Sequence, residues 1–499
     1  MKRISKWFLL LIVSSAIFLS VIDLFIVNVA IPSIKKGIRG TDSDIQLVIV
    51  LYVIGYAAFL ITGGRAGDYF GKKKVFITGI LIFTLASCMC GLSQNALQIN
   101  TGRLLQGISA AFMVPQGVAF IPILFPDIKE REKALGIYGS IAGTASVIGQ
   151  FLGGILPDTH FFIEGWRLVF LINLPIGILS ALLAFKFLEG ASTKGNVMVD
   201  NKGAPLASAE INSNRSGQAE ISKKHWKGFN FIGLGLMIFS LISLIYPIIQ
   251  GRELGWPNWS VVMLVLSLLT LLAFLYNQRK RLAVKKDALI NITLFKNRNF
   301  NIGLCAALFY YMVQDSYFLI NALQLQTGLG ISSSLSGFYF VFQGVGYVVA
   351  SFISIKLVPH YGKYVLLSGI GIMIISLVFH LVVLQSHVVS TALTLPVLFV
   401  YGLGCGSVLP TMFTISMKSI PASLAGAASG IYLTFQQIAI ALGVGIVGGL
   451  FFHVLGDDFT TSNYLKAYHT ATIANIALLI LVGFILFLLP STNRNGFSR

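Results

Sequence analysis

Charged residues are scarce in this chain: Asp, Glu, Lys and Arg make up 11% of its 499 residues, against 56% hydrophobic. Soluble domains carry about 25% charged residues, so a soluble globule is excluded. Acids are scarcer still, 18 against 36 Lys and Arg. The four cysteines, Cys88, Cys90, Cys305 and Cys405, all fall inside long apolar runs, which excludes a disulfide framework or a zinc-ligand spacing and leaves them as packing residues. Seven histidines form no H-E-x-x-H pair, and neither a phosphate-binding G-x-x-x-x-G-K-[ST] loop nor a hydrolase elbow occurs. The chain is therefore not expected to be an enzyme, to hold a metal or organic cofactor, or to carry its own nucleotide site. Residues 443–448, GVGIVG, match the dinucleotide glycine pattern but lie in an apolar run with no strand before them, so that reading fails.

What the chain has in abundance is membrane-length apolar sequence. A hydrocarbon core of about 30 Å needs about 20 apolar residues per helix. Fourteen such runs are legible, at 7–30, 45–67, 75–93, 98–124, 134–156, 167–188, 229–249, 260–277, 300–322, 333–357, 364–384, 393–415, 425–452 and 467–490. The expected fold class is an all-α polytopic membrane protein. An even number of spans puts both termini on one side. The opening segment reads as an uncleaved first span, because its apolar run continues to Ala30 with no small-residue cleavage site.

The net charge of +18 follows from topology. Lys2, Arg3, Lys6, Lys72, Lys73, Lys74, Lys129, Arg131, Lys133, Arg279, Lys280, Arg281, Lys285 and Lys286 fall on the side of the termini, whereas the opposite loops hold chiefly Lys35, Lys36, Arg39 and Arg252. Basic loops stay cytoplasmic, which places both termini inside and makes a nucleic-acid partner unnecessary. Residues 189–228, rich in Ser, Asn, Gly and Lys, read as a cytoplasmic linker. The expected organisation is a six-helix bundle at 1–188, that linker, two additional helices with a basic loop at 229–299, and a second six-helix bundle with a short tail at 300–499. GGRAGDYFGKKK after the second span has an echo in IKLVPHYGKY after the tenth, suggesting a duplicated half.

Several residues are out of place for packing alone. Asp23 lies in FLSVIDLFIVNVAIP, where a carboxylate costs at least ~2.5 kcal/mol to insert and usually faces a bundle interior or a water path. Its helix face is shared with Ala16, Ser20 and Ala30, small enough for a cavity wall. GRAGDYFGKKK combines Gly64, Asp68, Gly71, Lys72 and Lys74 in a short junction, a pattern suited to a conformational switch. Arg103 shares the fourth span with Gly107, Ala110 and Ala111, and needs an anion or water unless it snorkels to the interface. The fifth span carries Gly139, Gly143, Gly149, Gly153 and Gly154, which let helices approach and slide. Asp315 lies among Tyr311, Met312 and Phe318, the ring faces and counter-charge that a lipophilic cation needs.

Together these motifs resemble those of the major facilitator superfamily, specifically its 14-span drug:proton antiporter family. GRAGDYFGKKK resembles that family's loop motif, RLLQGISAA its span-four motif, and the span-five glycines its antiporter motif; IDLFIVNVAIP and WRLVFLINLPIG (166–177) are similar to signatures of the 14-span branch. One position departs: Gly149-Gln150 stands where the family has Gly-Pro, so the expected helix bend is missing. The resemblance implies two six-helix bundles plus two helices in the bacterial inner membrane. It implies a monomer, surrounded by lipid, that exports lipophilic, often cationic compounds by alternating access, with the proton gradient as its energy source. Asp23, Asp315 and Arg103 would couple protons, and Asp315, Tyr311, Met312 and Phe318 would meet substrate. The alternatives are export of an endogenous metabolite or lipid, or a non-transporting membrane sensor.

Overall fold

The computed structural model describes residues 5–159, 163–188, 230–284, 288–384, 390–417, 420, 424–457 and 459–489. The expected linker at 189–228, the C-terminal tail, and Lys2, Arg3, Lys285 and Lys286 lie outside the described residues, as does the side chain of Asp68. Fourteen helices are long and apolar enough to cross a membrane, and no strand occurs among the described residues.

The first six spans are α1 (Lys6–Ile38), α2 (Asp42–Phe70), α3 (Lys72–Gly91), α4 (Ala96–Leu124), α5 (Ile128–Ile155), and a sixth made of α6 (Gly165–Leu171) and α7 (Asn173–Phe187). The two additional spans are α8 (Phe231–Glu253) and α9 (Asn258–Ala283). The last six are α10 (Arg298–Leu323), α11 (Ser333–Tyr361), α12 (Lys363–Val383), α13 (Thr391–Met417), a thirteenth made of α14 (Ala425–Gly443) and α15 (Gly449–Leu455), and α16 (Thr461–Phe487). Between α14 and α15 the backbone widens into a π turn, Val444–Gly448. The rejected dinucleotide glycines therefore belong to a π turn, a feature that interrupts α-helices often at functional positions.

The first helix outruns its expected end at Ala30. It continues through Pro32 to Ile38, so Lys35 and Lys36 form its last turn rather than a loop, and Arg39 closes it with a φ of 50°. Proline removes one backbone bond, whereas leaving the helix at membrane depth would strand several polar groups. Lysines in a last turn also complement the helix dipole. Lys35 pairs with Asp42 and lies over the Phe452 and Phe459 rings at 5.8 and 5.7 Å. Arg252 likewise belongs to the last turn of α8.

The two six-helix halves are built alike. In the first, α2 packs on α4 so closely that a methyl group added at Gly107 would lie 1.9 Å from the Tyr52 carbonyl oxygen. In the second, α11 packs on α13, and a methyl group at Gly402 would lie 2.0 Å from the Gln343 carbonyl oxygen. Single glycines with positive φ, Gly71 at 90° and Gly362 at 51°, join the second and third spans of each half, a conformation glycine adopts without strain. The lysines after them repeat too: Lys73 Nζ donates to the Phe185 carbonyl (2.8 Å) and Lys363 Nζ to the Phe487 carbonyl (3.2 Å). The echoed Tyr/Phe-Gly-Lys sequence thus corresponds to a repeated junction.

The halves meet through α5 against α11, α2 against α14 and α1 against α10. The additional helices pair with each other, and α8 rests on α2. At the face opposite the termini the halves are stitched together. Ser33 and Ser333 hydroxyls lie 3.2 Å apart, Gln326 Nε2 donates to the Val29 carbonyl (2.8 Å), and Ser334 N–H donates to Asp158 (2.7 Å). Gly154 and Gly337 touch there, since a methyl group at Gly154 would lie 2.5 Å from the Gly337 Cα.

Candidate functional site

Asp23 is fully buried inside the first half, at the meeting of three spans. Arg103 of α4 forms an ion pair with its Oδ2, while Gln106 Nε2 of α4 and Asn173 Nδ2 of α7 each donate to its Oδ1 at 3.0 Å. Arg103 is equally buried; its Nε donates to the Val48 carbonyl (2.8 Å), Nη1 donates to Gln106 Oε1 (2.9 Å), and the guanidinium lies 4.5 Å from the Tyr52 ring centre. Asn173 also donates to Ser87 Oγ (3.0 Å), and Tyr52 OH is 2.7 Å from Ser20 Oγ. Charge compensation plus several hydrogen bonds is what makes a buried ion pair tolerable. Arg103 does not snorkel.

A cavity of about 290 Å³ lies between the halves, and Asp23 does not line it. Neither do Ala16 and Ala30; of the face expected to form a cavity wall, only Ser20 does. The acid on that wall is Asp315. Tyr311, Asp315 and Phe318, spaced as one stripe of α10, face the cavity, whereas Met312 does not line it and its backbone packs against α14, where its carbonyl oxygen would lie 2.1 Å from a methyl group at Gly443. Asp315 Oδ1 accepts a hydrogen bond from Asn28 Nδ2 at 3.3 Å. Among the described residues it has no ion-pair partner. Asn28 and Asp23 are both on α1, so one helix touches both acids.

The span-five glycines divide by role. Gly139 and Gly143 line the cavity. Methyl groups at Gly149 and Gly153 would lie 2.9 and 2.4 Å from the carbonyl oxygens of Ile22 and Ile26, so these glycines let α5 sit against α1 on either side of Asp23. Gly154 serves the contact with α11 already described. A second cavity, of about 580 Å³, lies nearer the face of the termini and shares Tyr56 and Leu433 with the first. Gly64 lines it, below Gln116, whose Nε2 donates to the Gly63 carbonyl (2.7 Å). Lys72 is half-buried and Lys74 exposed at the start of α3.

The major facilitator superfamily model matches residues 13–276 and 230–444. The chain belongs to the major facilitator superfamily. A probable actinorhodin transporter of Streptomyces coelicolor is 31% identical over 92% of this chain and 74% of its own length. A methylenomycin A resistance protein of Bacillus subtilis is 26% identical over 88% of this chain and 86% of its own. Among solved structures, a bacterial homologue of the lysosomal transporter Spinster covers 98% of this chain and 97% of its own at TM-score 0.67 and 16% identity. The D-xylose–proton symporter covers 98% and 100% at TM-score 0.64 and 13% identity. This superfamily member is thus a multi-pass membrane transporter rather than an enzyme, with two six-helix bundles and two extra helices.

Gln106, Asn173, Ser87 and Asn28 were not singled out from sequence. Asn173 sits within WRLVFLINLPIG, and Asn28 and Asp23 within IDLFIVNVAIP. The two segments meet at the Asn173–Asp23 hydrogen bond.

Proposed function

We propose that this transporter exports lipophilic, often cationic compounds from the cytoplasm across a bacterial inner membrane, by alternating access coupled to inward proton movement. The observation that carries this reading is a lone carboxylate, Asp315, on the wall of an aromatic cavity, joined through Asn28 to the helix that holds the Asp23–Arg103 pair. Tyr52, Tyr56, Tyr311 and Phe318 offer ring faces to a cation, and Asp315 offers the counter-charge. A proton or a cationic substrate can compensate Asp315, but not both at once, which is the minimum condition for exchange.

Asp23 and Arg103 supply the conformational half of the cycle. Protonating Asp23 would leave Arg103 buried without its counter-charge, so α1 and α4 would have to repack. Gly149 and Gly153 give α5 a smooth surface on which α1 can shift. The stitched face opposite the termini would open as the face of the termini closes, with Gly64, Asp68, Gly71, Lys72 and Lys74 acting as the switch at the closing side. The basic loops support cytoplasmic termini. The grouping of the described helices supports a division into two bundles and an additional pair, and one chain contains a complete cavity, which supports a monomer. Relatives named as a probable actinorhodin transporter and a methylenomycin A resistance protein support drug export as the task.

The test is uptake of ethidium by inverted membrane vesicles under an imposed pH gradient. Gradient-dependent accumulation, lost in Asp315→Asn, is expected. Dye movement indifferent to the gradient would overturn proton coupling.

A further inference from the structure

Five glutamines line the central cavity: Gln150 on α5, Gln314 on α10, Gln343 on α11, and Gln436 and Gln437 on α14. None makes a side-chain hydrogen bond to another described residue, and the Oε1 atoms of Gln150, Gln314 and Gln343 are buried without a partner. Glutamines buried elsewhere each hold at least one side-chain hydrogen bond, although Oε1 of Gln46, Gln116 and Gln324 is itself unpaired. Gln46 Nε2 donates to the Val444 carbonyl (2.8 Å), Gln106 and Gln116 hold the contacts already given, and Gln278 Oε1 accepts from the Leu289 N–H (2.8 Å).

Buried polar groups are normally paired, and leaving one unpaired is destabilising. Each glutamine buried elsewhere keeps at least one hydrogen bond, whereas these five keep none and converge from both halves on one cavity, which marks a recognition surface there. Gln150 and Gln343 are 3% and 4% exposed and come from opposite halves. Gly344 lies beside them: a methyl group there would lie 2.8 Å from Val147 Cγ2 and 3.4 Å from Gln150 Oε1. Gln150 is also the residue that stands where the resembled motif has proline.

A carboxamide presents N–H and C=O side by side, so its complement is a group with an acceptor next to a donor, such as an amide, lactam or imide. Six aromatic residues share the remaining wall with aliphatic and small side chains, and Phe25 and Phe318, edge to face at 5.5 Å, offer contacts to flat rings. We infer that the cavity recognises flat aromatic ring systems bearing an amide-like edge, read by Gln150 and Gln343, whether or not the ligand is charged. This deepens the export reading, because it takes the same cavity as the substrate site.

Fluorescence titration of the purified full-length protein with naphthalimide and N-methylnaphthalimide isolates the claim, since the two differ at the one donor and share ring and charge. The wild type is expected to bind naphthalimide about tenfold tighter, equivalent to about 1.4 kcal/mol. Gln150→Leu and Gln343→Leu should each bring that ratio close to one while the N-methyl compound still binds, and Asp315→Asn should leave the ratio unchanged. Equal binding of the two compounds by the wild type, binding of neither, or a ratio that survives both glutamine variants would overturn the inference. A tenfold ratio without gradient-driven transport would overturn the export reading and leave this one standing.

Discussion

Asp23 and Asp315 both lie on helices that cross the membrane, yet their surroundings differ in the respect that matters for a carboxylate. Asp23 has a guanidinium and two carboxamide donors within its own half and is sealed from the cavity. Asp315 has one carboxamide donor, supplied by the other half, and faces the cavity. The first arrangement completes a charge inside the protein. The second leaves it to be completed by something that arrives. An acid buried in a membrane helix is thus a question about partners, and the two halves answer it differently.

The second half has a counterpart to the Asp23–Asn173 bond, but without charge. Ser316 Oγ donates to Asn475 Oδ1 at 2.9 Å, linking the first and last spans of that half as Asp23 and Asn173 link them in the first. Nearby, Tyr317 OH lies 3.1 Å from His380 Nε2, and the Tyr317 and Tyr401 rings stack at 3.9 Å. One architecture therefore carries an ionic network on one side and a neutral, aromatic one on the other.

The sharpest way to break the comparison is to remove the cation. Arg103→Ala leaves Asp23 buried and unpaired and is expected to cost about 3–5 kcal/mol of stability, read as a large drop in melting temperature in detergent. Adding Asp23→Asn to that variant should recover a good part of the loss, and no recovery would show that Arg103 matters for packing alone. The equivalent asparagines give a smaller, graded contrast. Asn173→Ala takes a donor from a charged acceptor and should cost about 1.5–3 kcal/mol, whereas Asn475→Ala loses a neutral bond and should cost about 0.5–1.5 kcal/mol. Equal losses would erase the distinction between the halves. Gly154→Leu, which forces α5 from α11 on the stitched face, should cost about 1–3 kcal/mol by overpacking and raise thiol labelling of a cysteine placed at Ser333. Smallest in stability is Asp315→Asn, expected within about 0.5 kcal/mol because no ion pair is broken. Its effect should fall on ethidium affinity, weakened about tenfold or about 1.4 kcal/mol.

Much of this was legible from sequence, for stated physical reasons. The fourteen spans follow from apolar length, and Asp23, Arg103 and Asp315 stand out because charge is costly in lipid. The pairing of Asp23 with Arg103 was not legible, since the two are 80 residues apart and meet only when α1 packs on α4. Helical spacing grouped Met312 with Asp315, but the turn of α10 toward α14 decides which side chains reach the cavity. Gln150 stood out only for the proline it replaces, and the other four glutamines escaped notice because an uncharged amide brings no charge into an apolar run. A search for glutamine inside apolar runs would have found them.

The most direct test of the division between the two acids is proton-gradient-driven ethidium transport in inverted vesicles, measured beside ethidium binding to purified protein, for wild type, Asp23→Asn and Asp23→Glu. The expected result is that Asp23→Asn binds ethidium within a few fold of wild type yet shows no gradient-driven transport, while Asp23→Glu, which keeps a titratable group, retains part of it with an altered pH dependence. Wild-type gradient-driven transport by Asp23→Asn would contradict the account and leave Asp315 to carry both proton and cargo.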